Sequence, residues 1–227
     1  MIARTSLEVV NKLRTIFYIL FIIYLIYLIY DLFYIDSGRY QWTLFAIALI
    51  LLPFAFERLT RMYFPWEIKI LIILSLLLHT AGEFHRWYYT LPNFDKVSHM
   101  FSAAGIAYLV FIFIILVELY YGLEWKIPRI IFFLALMTAS FATFWEWWEI
   151  FSDAYFGSKF FWDMQDGIGD AAANMAGIII VSVDVNKYLR KKSPKQIAND
   201  FIIPDESGQY AMKWAVLPIE KENGLDK

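Results

Sequence analysis

The chain has 227 residues, of which 60% are hydrophobic, 20% aromatic and 19% charged, with a formal net charge of -2 and no cysteine. Soluble domains are about half apolar and about a quarter charged, so a mean hydropathy of +0.51 excludes an ordinary water-soluble fold and makes the bilayer the solvent. The missing cysteines exclude disulfides, thiolate metal centres and a cysteine nucleophile, and the lack of a basic patch with interleaved polar residues argues against a nucleic-acid partner.

A spanning helix needs about 20 mostly apolar residues, and six stretches qualify. The first is expected at about 14–35, behind Arg4, Lys12 and Arg14. It is too long for a signal-peptide core and lacks a small-x-small cleavage site, so it reads as a retained helix. The second is expected at about 40–57, uncharged between Arg39 and Glu57. The third, about 65–84, opens at Pro65, a favoured first-turn residue. The fourth is expected at about 96–118, the fifth at about 128–152 from Pro128, and the sixth at about 166–188. Glu57 and Glu118 read as ordinary span ends. No run alternates as a membrane barrel strand does, which leaves helix as the only spanning structure.

The expected fold class is therefore all-α: a polytopic transmembrane bundle over 1–189, followed by a polar cytoplasmic tail over 190–227. The tail segment IIPDESGQYAMKWAVLPI could form a short hairpin or bind a partner. Orientation follows from Lys and Arg near the helix ends. With six spans, Arg4, Lys12, Arg14, Arg58, Arg61, Lys69, Lys126, Arg129, Lys187, Arg190, Lys191, Lys192 and Lys195 share one side, against Arg39, Arg86, Lys96 and Lys159 on the other. Both termini are then cytoplasmic, in a multi-pass protein of the cell membrane. Tyr40, Trp42, Trp66, Trp87, Tyr88, Tyr89, Trp125 and Trp162 crowd the span ends as an aromatic belt does.

The polar residues inside the spans are not scattered. His79 and Glu83 are four apart near the end of the third helix, and Asp95 and His99 four apart at the start of the fourth. Glu146 and Glu149 are three apart near the end of the fifth, with Asp153 beyond them. Asp163, Asp166, Asp170, Asn174 and Gly177 draw a stripe into the sixth. Residues three and four apart share a helical face. Helices three and five end at their polar groups while four and six begin at theirs, so alternating direction brings all four patches to one depth near the outer surface.

His79, Glu83, Asp95, His99, Glu146, Glu149, Asp166 and Asp170 are the candidate pocket, with Asn174 as a cofactor-binding position and His79, His99, Glu146 and Asp170 as candidate metal ligands. Ionisable groups within spans are costly and usually face the bundle interior or a wet cavity. Asp163 and Asp166 equally fit a solvated helix start, where acids favour the dipole. His85 and Arg86 fall in a loop, and Trp145, Trp147 and Trp148 fit packing and belt. The acidic excess favours a cation: a divalent metal, a proton or an organic amine. Imidazole with carboxylate suits Zn, Mn or Fe, although neither HExxH nor the ExxH repeat of di-iron bundles is present. A nucleophile elbow and a Walker A loop are also absent.

The segments HTAGEFHRWYY (79–89), FDKVSHMFSAAGIAY (94–108), FWEWWEIFSD (144–153) and WDMQDGIGDAAANMAG (162–177) resemble the YjdF-type family of bacterial and archaeal inner-membrane proteins. More distantly, the DKxxH of the fourth helix, the glutamate of the fifth and the DxxxNxxG of the sixth resemble VanZ-type proteins, a group associated with the cell envelope and glycopeptide resistance. The resemblance implies six membrane helices and marks His79, Glu83, Asp95, His99, Glu146, Asp166, Asp170 and Asn174 as motif positions. It supplies no reaction. Three readings stay open at this point: an outward-facing pocket that binds a cation and acts on a lipid or envelope precursor, a transporter of protons, ions or a small solute, and a non-catalytic structural or partner-binding membrane protein.

Overall fold

The computed structural model describes residues 7–34, 40–60, 64–157 and 163–201, and everything described is helix or short connection. The helices are α1 (Leu7–Tyr34), α2 (Tyr40–Thr60), α3 (Trp66–Phe84), the single turn α4 (Trp87–Thr90), α5 (Phe94–Tyr120), α6 (Ile127–Phe156), α7 (Met164–Leu189) and α8 (Pro194–Phe201). All six stretches expected to span are helical. Among the described residues, four helices are long and apolar enough to cross a membrane: α1 over Asn11–Tyr30, and α5, α6 and α7 over their whole lengths. In α3, Glu67, Lys69 and Glu83 interrupt the apolar run near both ends.

The helices outrun the hydropathy limits. α1 begins seven residues before the expected start at 14 and α6 ends at Phe156, four beyond 152. Apolar residues mark the part of a helix that lies in lipid, whereas backbone hydrogen bonds carry the helix on into the interface.

α5 is the central helix. Its Ala107, Val110, Phe111, Ile114 and Ile115 are buried against Ile130 and Leu134 of α6, Val181 and Val185 of α7, and Ile197 and Ala198 of α8. A second core gathers Phe17, Tyr24 and Leu28 of α1, Ile50 of α2, and Ile73 and Leu77 of α3. α3 joins the two, because it also packs on α5. In lipid, helix association depends on close packing and small residues more than on hydrophobicity. The α5–α7 crossing illustrates this: a Cβ on Gly177 would collide with the Met100 carbonyl oxygen and press on the Ala103 methyl. Large apolar side chains point outward, among them Ile26 and Phe33 of α1, Phe113 of α5, Phe132 and Phe144 of α6, and Ile180 of α7.

Glu57 and Glu118 are not ordinary span ends. Both are buried. Glu57 Oε1 accepts the Phe64 backbone N–H at 2.7 Å and pairs with Lys69 Nζ at 2.7 Å, while Lys69 lies 4.2 Å from the Trp66 ring centroid. Glu118 Oε1 accepts the Trp125 backbone N–H at 2.9 Å. Each carboxylate stands near the end of one helix and holds the backbone seven residues on, one residue short of the next helix, with Pro65 between in one case and Lys126 in the other. A helix C-terminus disfavours a negative charge, and these contacts offset that cost.

The start of the tail differs from a plain polar extension. Residues 194–201 form α8, which docks on α5 through Ile197 and Ala198, both fully buried. Its start is a capping box: the Ser193 backbone N–H donates to Gln196 Oε1 at 2.9 Å and the Gln196 N–H to Ser193 Oγ at 3.4 Å. The segment IIPDESGQYAMKWAVLPI lies outside the described residues.

Candidate functional site

The C-terminal ends of α3 and α6 and the N-terminal ends of α5 and α7 meet at one end of the bundle, and four of the candidate groups converge there on His99. This imidazole is 3% exposed. Its Nε2 lies 3.4 Å from Asp95 Oδ1, one turn back on α5, and 3.6 Å from Asp170 Oδ1 on α7. Its Nδ1 lies 3.7 Å from Glu146 Oε1 on α6. Two triplets of donor atoms therefore share this ring, Asp95–His99–Asp170 and His99–Glu146–Glu149, each with ligand atoms within 4.8 Å of one another.

The two triplets differ in what already neutralises them. Lys96 Nζ reaches across from α5 and donates to Asp166 Oδ1 at 2.6 Å, Asp170 Oδ1 at 2.7 Å and Asp95 Oδ2 at 3.1 Å, with the Asp166 carbonyl oxygen also at 3.1 Å. One ammonium thus serves all three aspartates, and its three hydrogens are fully employed. Gly169, between Asp166 and Asp170 on α7, makes room for it: a Cβ there would lie 2.7 Å from Lys96 Cε. Asp163 caps α7, accepting the Asp166 N–H at 2.9 Å.

Among the described residues, the glutamate side has no such cation. Glu149 Oε1 accepts the Trp145 indole N–H at 2.7 Å, one turn back on α6. Both carboxylate oxygens of Glu146 are buried with no hydrogen-bond partner. A buried orphan of this kind calls for an explanation. At 3.7 Å, a proton on either His99 Nδ1 or Glu146 is too far from the other atom for a good hydrogen bond. Metal bonds of about 2.0–2.2 Å fit between donor atoms at such spacings.

His79 stands beside this group and outside both triplets. Its two ring nitrogens are engaged, Nδ1 with the Tyr88 hydroxyl at 2.6 Å and Nε2 with Ser102 Oγ at 3.0 Å. Its ring lies edge-on to His99, with centroids 5.9 Å apart, and 6.1 Å from Trp145. Tyr88 is delivered by the turn α4, which lies between Arg86 and Asn93, both at positive φ. Asn174 is buried one turn along α7 from Asp170. Glu83 lies in α3, but its side chain is outside the described residues. His85 is exposed, hydrogen-bonded to the Tyr27 hydroxyl at 2.8 Å and stacked on Trp87.

Lys96, Tyr88, Ser102 and Trp145 are the participants that sequence reasoning missed. Lys96 left a signal: a lysine set between the candidates Asp95 and His99 at the lysine-poor ends of the helices. The partners of His79 left none, because hydroxyls and indoles near a membrane surface are too common to single out.

The sequence matches a family profile described as "Predicted membrane protein (DUF2238)" over residues 15–191. No curated protein matches the chain, and no solved structure does.

Proposed function

Because the chain belongs to this family of predicted membrane proteins, we propose that its polar cluster is an outward-facing pocket that binds a divalent cation and acts on a lipid or envelope precursor. In this reading α2 and α3 cross the bilayer together with α1, α5, α6 and α7. Both termini then lie in the cytoplasm, in keeping with the lysine and arginine distribution.

The observation that carries the cation is Glu146, whose two oxygens are buried without a partner beside the Nδ1 edge of His99. His99 Nδ1, Glu146 and Glu149 are the assigned ligands. Asp95 and Asp170 then accept the hydrogen bond from Nε2–H, as carboxylates commonly do behind a metal-bound imidazole, and Lys96 offsets part of the charge of those aspartates, so that the added charge is drawn to the glutamates. One imidazole and two carboxylates suit Zn, Mn or Fe. Such an ion supplies a Lewis acid able to polarise a phosphoryl or carbonyl oxygen. The lipidic substrate is supported by the setting of α6, which presents Glu146 and Glu149 inward while Phe144, Trp147 and Tyr155 are exposed. The likeness of the DKxxH and DxxxNxxG positions to VanZ-type proteins supports an envelope precursor.

Transport has less support. A through-path needs free polar groups along the spans, yet the hydroxyls of Ser75, Thr138, Ser140 and Thr143 each donate to the carbonyl four residues back.

The test is elemental analysis of the detergent-purified protein before and after incubation with Zn²⁺ or Mn²⁺. Near-stoichiometric metal is expected in the natural chain and none in Glu146→Gln, with helicity unchanged by circular dichroism. A natural chain that takes up no metal, or a Glu146→Gln variant that keeps it, overturns the reading.

A further inference from the structure

The opposite end of the bundle carries a separate feature. An open groove of about 970 Å³ runs between the start of α6 and the end of α7. Its walls are apolar, with Ile131, Phe132 and Ala135 from α6 facing Ile179 and Val183 from α7, and Lys126 and Arg190 stand at its mouth. Phe132, Ile179 and Val183 are each about half exposed or more, so no part of the described chain covers them.

The groove's length has a physical meaning. From Lys126 to Ala135 α6 rises about 14 Å, and from Ile179 to Arg190 α7 rises about 16 Å, at ~1.5 Å per residue. Half of a hydrocarbon core about 30 Å thick is about 15 Å. The groove is thus one leaflet deep, apolar along that depth and cationic where the headgroups begin.

The charged residues that line the mouth are both basic. Lys126 and Arg190 pair with no carboxylate among the described residues, and Arg129 and Lys187 are exposed nearby in the sequence. Arg190 spends one of its donors, Nε–H, on Asn186 Oδ1 at 3.2 Å. Of the neighbouring acids, Glu118 is buried and holds the Trp125 backbone, Asp184 accepts from Tyr108 at 2.9 Å, and Glu124 is exposed and does not line the groove. Basic pockets between membrane helices suit anionic lipid headgroups, and a guanidinium matches a phosphate in shape and charge.

We propose that this groove seats an acyl chain of an anionic phospholipid, with its headgroup phosphate held between Lys126 and Arg190. The site is distinct from the histidine–carboxylate cluster and stands whether or not that cluster binds a cation.

The test is native mass spectrometry of the full chain released from micelles containing equimolar dioleoyl phosphatidylglycerol and dioleoyl phosphatidylcholine. Retained phosphatidylglycerol is expected to exceed phosphatidylcholine. The double variant Lys126→Gln/Arg190→Gln should lose that preference by more than tenfold, since each basic residue near an anionic surface contributes about fivefold. Ala135→Phe, which fills the groove and leaves the charges, should also reduce retention. Lys191→Gln/Lys195→Gln removes the same charge outside the groove and should leave the preference intact. Equal retention of the two lipids by the natural chain, an unaffected Ala135→Phe, or an equal loss in the Lys191/Lys195 variant overturns the proposal.

Discussion

Replacing Lys96 with methionine keeps most of the length of the side chain and removes the ammonium that, among the described residues, serves Asp95, Asp166 and Asp170. The cost follows from how exposed each aspartate is. Asp95 and Asp166 side chains are 27% and 24% exposed, and pairs that water can reach contribute about 0–1 kcal/mol. Asp170 is 4% exposed, and removing one partner of a buried pair costs about 3–5 kcal/mol. Lys96 is itself 25% exposed, which reduces that figure, so the expected loss is about 2–3 kcal/mol. For a chain of this size each kcal/mol moves the midpoint about 2–4 °C, giving a fall of about 5–10 °C in detergent. Asp170→Asn in the Lys96→Met background should restore much of it, with a coupling within the 0.5–3 kcal/mol range of contacting residues. The empty place would also admit an ion: Asp95, His99 and Asp170 keep donor atoms within 4.8 Å, so divalent cations should stabilise Lys96→Met more than the natural chain, by about 2.7 kcal/mol at a hundred times Kd. Thermal unfolding followed by tryptophan fluorescence, with and without Mn²⁺, measures all three. A shift under 2 °C with no coupling to Asp170 would refute the reasoning, because Lys96 would then be one more surface lysine.

Three further outcomes are expected. Gly177→Ala places a methyl against the Met100 carbonyl and Ala103, and overpacking of this kind costs about 1–3 kcal/mol; a midpoint unchanged from the natural chain would mean that α5 and α7 separate freely. Glu57→Ala strands the buried Lys69 as well as the Phe64 N–H, whereas Glu118→Ala strands only the Trp125 N–H. The first should cost about 3–5 kcal/mol and the second about 1–3, an order that parallel unfolding of the two variants checks. Ser193→Ala removes the cap of α8, at about 1 kcal/mol, and limited proteolysis should cut between Lys192 and Lys195 faster in the variant than in the natural chain.

Much of this architecture is legible in the residues, because lipid leaves few choices. An apolar run of about 20 residues must be a helix, and all six such runs are. The meeting of His99 with Asp95, Glu146 and Asp170 is legible too, since alternating helix direction brings their patches to one end. Periodicity cannot say which atoms are already satisfied. His79 and His99 read alike, yet one ring is hydrogen-bonded at both nitrogens and the other is surrounded by carboxylates. Lys96 is hidden for a related reason: a lysine next to an aspartate looks like an exposed pair until α7, some seventy residues away, supplies two more acids. Glu57 and Glu118 mislead because hydropathy ends a span at the first charge, while the carboxylate in fact turns inward to hold the chain as it reverses. α8 is missed because eight residues with two buried apolar positions, Ile197 and Ala198, leave too short a pattern to separate from a polar tail.

That pair of glutamates has a practical consequence for anyone dissecting the protein. Connections between membrane helices are the customary places to insert an epitope, a protease site or a fluorescent reporter, on the assumption that a link outside the lipid has slack. The backbone N–H of Phe64 is latched to Glu57, and that of Trp125 to Glu118. An insertion of even one residue there would unhook the latch and shift where the next helix begins, so a topology reporter placed at those points would disturb the arrangement it was meant to record.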